Sequence, residues 1–404
     1  MYIQRHISVA LDRLRRSFPA VLVTGARQTG KTTLLKESSQ AAMISFDDYI
    51  QHNAAKQDPL GFVKSLVPPV ALDEVQYAPE IFRPLKLRID NERQSGAFLM
   101  TGSQRFELMK GISESLAGRI GILTLLGLSE REINGLDFTA PFLPTDEYLA
   151  QRGRTVAPLN PSAVWARIQR GGFPKLYADS ELAPYDFYAG YVATYIERDV
   201  RALSQVGDEL AFMRFLTACA ARTASILNLS DICGDVGVSS PTAKRWLSIL
   251  QASGIVFLLS PFSLNISARA IKTPKLYFLD TGLAAYLCKW LTPATLESGA
   301  MAGAFFETYV IGEIVKSYRN AGLEPPIYYY RDIDKREIDL LFYQDGCLYP
   351  LEIKKTASPN VKDTKHFEVL SKFSAVAPQP GGIVCMYDAP LKLGGKLVIP
   401  VNML

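Results

Sequence analysis

Residues Gly25, Ala26, Arg27, Gln28, Thr29, Gly30, Lys31 and Thr32 fit G-x-x-x-x-G-K-[ST] outright, and their flanks decide what that octapeptide becomes. Before it runs Val21-Leu22-Val23-Thr24, β-branched and aliphatic. After it comes Thr33-Leu34-Leu35-Lys36-Glu37, good helix-forming sequence. A strand, a glycine-rich turn and a helix in that order form a phosphate cradle. Backbone N–H groups of the turn and the helix N-terminus converge there on an anion. In such a cradle Lys31 reaches the β- and γ-phosphates and the Thr32 hydroxyl ligates Mg²⁺. The expected ligands are ATP and Mg²⁺, held by residues 25–33.

A length of 404 residues is too great for one ordinary domain and suggests two to four. With 48% hydrophobic residues the chain has ample material for packed cores and is not a disordered polymer. No apolar run approaches the roughly eighteen residues needed to span a bilayer. The first residues lack the uninterrupted apolar stretch of a secretory signal. Ile3, Ile7, Leu11 and Leu14 instead share one helical face, as in a helix packed on a sheet. Five cysteines (Cys219, Cys233, Cys288, Cys347 and Cys385) are scattered without a C-x-x-C pair. They are expected as buried, reduced thiols in a cytoplasmic protein. Three isolated histidines make a zinc site improbable.

Up to about residue 128, short apolar strands alternate with helical stretches, which predicts a mostly parallel sheet covered on both faces. Strands are expected at residues 21–24, 43–46, 70–72, 98–101 and 121–125. The third ends in Asp73 and Glu74. In a phosphate-loop enzyme the Asp helps hold Mg²⁺ and the Glu orients or deprotonates the attacking water. The fourth ends in Thr101-Gly102-Ser103-Gln104, where Ser103 is either a sensor of the γ-phosphate or an ordinary turn residue. Arg119, just before the fifth strand, reads equally as an arginine finger or a surface arginine. Asp47 and Asp48 follow the second strand and read as nucleotide neighbours or turn residues alike.

These pieces together resemble the prokaryotic AAA-family ATPases that carry a C-terminal domain of unknown function. The resemblance rests on the loop above, on Leu72-Asp73-Glu74, Thr101-Gly102-Ser103-Gln104 and Leu116-Ala117-Gly118-Arg119. It continues through Gly171-Gly172-Phe173-Pro174, Tyr195-Ile196-Glu197-Arg198-Asp199 and Lys275-Leu276-Tyr277-Phe278-Leu279-Asp280-Thr281-Gly282. It implies ATP binding by Lys31 and Thr32, metal and water handling by Asp73 and Glu74, sensing by Ser103, and an arginine finger at Arg119. The expected fold is α/β: an AAA-type core at 1–135, a helical lid or connector at 136–205, and two further domains.

The first of these, 206–295, has the pattern of a winged helix. A short helix begins at residues 229–232 and a turn follows at 234–238. Ser240 is expected to cap the next helix, 242–252, which exposes Lys244 and Arg245. Residues 255–259 and 275–279 form the expected wing. No acidic residue lies between Asp235 and Asp280, while Lys244, Arg245, Arg269, Lys272 and Lys275 all do. That imbalance favours contact with phosphates, and DNA is the expected partner. A winged helix used only to pack domains together is the competing reading.

In the last domain, 296–404, Asp339 on one strand and Glu352 and Lys354 on the next fall on one face of a hairpin. Two carboxylates and a lysine so placed can bind a divalent metal and activate water against a phosphodiester. Glu307, on the helix before, adds a third acid. This resembles the PD-(D/E)xK nuclease superfamily, with Ile338 in place of its proline. The metal set so implied is Glu307, Asp339 and Glu352. A solvated hairpin face with a Glu–Lys pair is the plainer alternative, and an inert domain in an ATP-controlled, protein-binding switch is the alternative function. Assembly with further copies of the chain is compatible with both. ATP-dependent phosphorylation of a small molecule fits worse, since the Asp-Glu strand end calls for water as acceptor.

Overall fold

The run Ala20-Val21-Leu22-Val23-Thr24 is apolar without alternation, the pattern of a strand buried on both faces. It forms β1 (Ala20–Thr24), one of the three inner strands of a five-stranded sheet. With β2 (Ala42–Ser45), β3 (Val70–Asp73), β4 (Phe98–Gly102) and β5 (Ile120–Thr124) the order is β2-β3-β4-β1-β5, and every pairing is parallel. Ala20 and Leu22 feed the hydrophobic core on one face, Val21 and Val23 the core on the other. All five expected strands are present, with boundaries that differ by no more than one residue. The computed structural model describes residues 2–39, 41–102, 115–195, 208–264 and 273–404. Ser103, Gln104, residues 196–199, Arg269 and Lys272 lie outside the described residues.

The N-terminal helix runs Ile7–Ser17, later than the apolar spacing suggested, and buries Ile7, Ala10 and Leu11. Residues 2–5 stay out of it. Arg5, 3% exposed, explains why. Its guanidinium pairs with Glu132 (3.1 Å) and donates to the carbonyls of Thr29 and Leu126, both at 2.8 Å. Desolvation works against the Glu132 charge, but Arg5 and the backbone N–H groups of Ser129 and His6 hold its carboxyl below the usual range. The chain start, the phosphate loop and the segment after β5 are thus tied at one buried point.

A third, larger core starts at Leu126 and extends through helices, sheets and the last residue, Leu404. Its middle part follows the order helix Glu209–Ala220, β6 (Ser225–Ile226), helices Leu229–Val236 and Ser240–Ala252, β7 (Val256–Leu259) and β8 (Lys275–Phe278). The strands form an antiparallel sheet, β6-β8-β7. Helix Ser240–Ala252 buries Ala243, Trp246, Leu247, Ile249 and Leu250, and Trp246 meets Phe212 and Phe215 edge-on. That apolar stripe turns Lys244 and Arg245 outward. The cap is Ser239 rather than Ser240, since the Ser239 hydroxyl takes the Thr242 N–H, and the preceding turn centres on Gly237 at φ +78°.

The last part opens with helix Ala302–Asn320, buried on almost every side and packed against β8, the N-terminal helix and β11 (Cys347–Ile353). A mixed seven-stranded sheet follows: β9 (Ile327–Arg331), β10 (Glu337–Gln344), β11, β12 (Ala377–Pro378), β13 (Gly382–Cys385), β14 (Leu391–Leu393) and β15 (Lys396–Pro400). Its order is β14-β15-β13-β11-β10-β9, with β12 on β11. No helix among the described residues is long and apolar enough to cross a membrane. Cys219 and Cys385 are buried as expected, but Cys233, Cys288 and Cys347 are only half-buried.

Candidate functional site

A nucleotide-sized cavity and a second, acidic centre

The turn after β1 bends through positive φ at Gly25, Gln28 and Gly30 (+144°, +60° and +92°) and enters helix Lys31–Ser38. A Cβ on Gly25 would lie 2.1 Å from the Leu125 carbonyl oxygen, so only glycine fits against the neighbouring strand end. Thr29 braces the loop from within, its hydroxyl donating to the Ala26 carbonyl at 2.8 Å. The Lys31 ammonium donates to the carbonyls of Gly25 and Ala26 at 3.2 and 2.9 Å. The loop's own carbonyls therefore hold it at the floor of the cradle.

The Thr32 hydroxyl donates to Asp73 at 2.8 Å, linking the helix to the end of β3. Asp73, 4% exposed, also accepts from Thr101 (2.5 Å) and Ser45 (3.3 Å). Three strand ends and the loop helix thus meet at one carboxylate. The next residue, Glu74, is held in the left-handed region at φ +56°, a conformation few non-glycine residues adopt. Its N–H donates to the Thr101 hydroxyl at 3.1 Å and its carboxylate takes a bond from Gln76.

Over this group opens a cavity of about 670 Å³, within the size range of small-molecule sites. Arg27, Gln28, Gly30, Lys31, Thr32, Thr33 and Glu74 line it, all singled out in the sequence. Gly25, Ala26, Thr29 and Asp73 support it from beneath. The rest of the wall was not foreseen: Tyr2, Ile3, Arg5, Leu128, Pro174, Lys175, Ala178 and Thr194 come from segments far apart in the chain. Only Gly171-Gly172-Phe173-Pro174 carried a signal, as one of the motifs in the family resemblance. Arg119 lies off the cavity, its guanidinium bound by both oxygens of Asp90 (2.5 and 3.0 Å). Asp48 caps helix Tyr49–Gln57, which is its turn reading.

The C-terminal residues converge as well. The β10–β11 register pairs Leu340 with Leu351, and one step further Asp339 faces Glu352. Asp339 accepts the Ile353 N–H at 2.8 Å, and Lys354 donates to Glu352 at 2.6 Å. Glu307 enters from its helix. Sequence reasoning missed its partners: Tyr277 donates to Glu307 at 2.6 Å, and the buried Lys275 lies 3.3 Å from Glu307 and 2.6 Å from Glu337. Lys275 therefore faces inward and is no part of a basic surface. Of the basic residues in that acid-free stretch, only Lys244 and Arg245 are outward among those described. Among the described residues no three His, Cys, Asp or Glu side chains are grouped so as to hold a metal ion.

Burial and the Asp339 charge push Glu307 up to about 7, against the pull of Lys275. Burial and Asp339 likewise push Glu352 up to about 8, against Lys354. Desolvation pulls Lys275 down, but Glu307, Asp339 and Glu337 outweigh it and hold its ammonium above the usual range. A carboxyl whose folded value is raised binds its proton more tightly in the folded state. Its contribution is complete below the ordinary carboxylate range and is lost as pH rises through about 7 to 8. Glu352→Gln, uncharged throughout, is expected to flatten the decline of the denaturation midpoint between about pH 5 and 8. An unchanged slope would contradict the buried-acid picture.

Residues 17–134 match the AAA domain family. Residues 162–294 match a domain of unknown function (DUF8612) and residues 302–404 another (DUF4143). Two curated relatives are Uncharacterized protein Mb2031c of Mycobacterium bovis and Uncharacterized protein Rv2008c of Mycobacterium tuberculosis. Each is 30% identical over 368 residues, spanning 89% of this chain and 76% of the relative. A solved structure, the Walker-type ATPase paby2304 of Pyrococcus abyssi, is 15% identical with a TM-score of 0.42, covering 71% of this chain and 96% of that one. The chain belongs to the family of these two mycobacterial proteins, and its N-terminal part is an AAA-type P-loop ATPase domain.

Proposed function

We propose that the protein hydrolyses ATP in the 670 Å³ cavity and uses the nucleotide state to control a DNA-binding middle module. The observation that carries the first half is the meeting of Lys31, Thr32, Asp73 and Glu74 at one cavity floor. Thr32 and Asp73, oxygen ligands 2.8 Å apart, suit Mg²⁺, which takes few protein ligands and keeps water and phosphate oxygens. When bound, the ion would neutralise charge on the β- and γ-phosphates. Lys31 leaves the Gly25 and Ala26 carbonyls for the same phosphates. Glu74 accepts a proton from the water that attacks the γ-phosphorus while the bond to the bridging oxygen breaks, giving ADP and phosphate. Arg119 can act as a finger toward another subunit only once its pair with Asp90 opens.

Lys31→Ala is expected to abolish ATP binding, and Glu74→Gln to keep binding while turnover falls about a hundredfold or more. Calorimetry and phosphate release read the two separately. Undiminished hydrolysis by Glu74→Gln would rule out its role as base.

The order helix, strand, two helices and hairpin in residues 209–278, with β6 pairing on β8, supports a winged-helix reading of the middle module. Helix Ser240–Ala252 is then its recognition helix, capped by Ser239 and presenting Lys244 and Arg245. Replacing both by Glu is expected to weaken duplex binding about tenfold or more at moderate salt. Equal affinity of wild type and variant would leave the module a packing element.

For the C-terminal domain a second reading is favoured. Asp339, Glu352, Lys354 and Glu307 come together, but Lys275 puts an ammonium among the carboxylates where a metal would otherwise balance them. We infer a regulatory domain that does not cut. Supercoiled plasmid with Mn²⁺ should stay intact. Nicking that is lost in Asp339→Ala would overturn this.

A further inference from the structure

The cavity wall is of two kinds. Lys31, Thr32 and Thr33 are its phosphate-binding side chains, while Ile3, Leu128 and Pro174 offer apolar surface suited to a base and ribose, Pro174 lying 3.9 Å from a Cβ built on Gly30. The apolar wall does not stand by itself. Leu128 donates its N–H to the Gly172 carbonyl at 2.6 Å, so both sides of the wall hang on residues 171–174. Gly171 turns there at φ +77°. A Cβ on it would lie 2.1 Å from the Tyr188 hydroxyl and 2.5 Å from Asp280 Oδ1; one on Gly172 would lie 2.8 Å from the Leu128 carbonyl.

What fills that space is a carboxylate from another module. Asp280 follows β8 and accepts three bonds: from the Gly172 N–H (2.7 Å), the Tyr188 hydroxyl (2.7 Å) and the Leu283 N–H (2.8 Å). The last caps helix Thr281–Leu287. The oxygen of Tyr188, fully buried, also lies 2.9 Å from the Arg170 carbonyl, so its one hydrogen is shared between that acceptor and the nearer Asp280. Asp280 lines no part of the cavity. It is linked to the cavity through the turn that it grips, whose next residues, Pro174 and Lys175, are cavity wall.

We propose that Asp280 is a positioning residue for the nucleotide: a carboxylate of the middle module that fixes the wall receiving the nucleoside half. This rests on the reading that the cavity holds a nucleotide. It places the support of the nucleoside-binding wall outside the AAA domain, on the residue that caps helix Thr281–Leu287 just past β8. Binding of the phosphate half, which the loop supplies alone, is independent of Asp280. Affinity for the nucleoside half depends on it.

The test compares ATP with inorganic tripolyphosphate, by calorimetry on the intact chain with Mg²⁺. Asp280→Asn keeps the shape but loses one charge-assisted bond, which is expected to weaken ATP on the order of tenfold. Tripolyphosphate should bind as to wild type. In turnover the loss should fall on KM and spare kcat. Asp208→Ala, which removes the cap of helix Glu209–Ala220 in the same module, is expected to change neither ligand's affinity. Tyr188→Phe, a milder cut at the same carboxylate, gives a smaller loss in the same direction and serves if Asp280→Asn fails to fold. Wild-type ATP affinity in both variants would overturn the proposal, as would equal weakening of ATP and tripolyphosphate. If wild type itself binds no ATP, the nucleotide reading fails and takes this proposal with it.

Discussion

One hydrogen bond organises the front half of the molecule: the Thr32 hydroxyl to the Asp73 carboxylate. It joins the helix after β1 to the end of β3, and the same carboxylate draws in Thr101 from the end of β4 and Ser45 from β2. A parallel sheet leaves its strand ends at one edge, and ligands bind outside that edge. Asp73 makes the edge a single rigid floor. The strained Glu74 next to it and the loop carbonyls around Lys31 are arranged relative to that floor, so the cavity's chemistry follows from where Asp73 sits.

A second constraint runs between modules. β8 is only four residues long and wholly buried. At its start, Lys275 pairs with Glu307 and Glu337 of the C-terminal part; just past its end, Asp280 grips the turn beneath the cavity wall. Tyr277, between them, donates to Glu307. The acidic centre and the nucleotide cavity are therefore attached to opposite ends of one strand. Arg131 adds another tie, donating to the carbonyl of Leu404 at 2.9 Å. One hydrophobic core, from Leu126 to Leu404, is shared among the segments after β5.

What was legible in the sequence was local. An uninterrupted apolar run, a glycine-rich turn and a strand ending in Asp-Glu each state their own conformation, so the five strands and the cavity floor could be read directly. The hairpin carrying Asp339, Glu352 and Lys354 was legible for the same reason, through alternation along two strands. Arg5, Leu128 and Pro174 were not legible as cavity parts, nor Asp280 as the support behind them, because these roles depend on contacts between segments far apart in the chain. Lys275 was misread outright. Charge counting placed it on a basic surface, whereas the fold turns it inward to carboxylates that come later in the chain. Ser239 displaced Ser240 as cap because the helix starts at Ser240, two residues before the expected 242, a shift that composition cannot resolve.

Hydrogen exchange with and without ATP and Mg²⁺ tests the central claim most directly, since it reports the loop, the strand ends and the wall at once. A nucleotide seated between floor and wall should slow exchange together at residues 25–33, at 73–74 and at 171–175. Protection confined to the loop would contradict the two-sided cavity, and no protection anywhere would contradict the nucleotide itself.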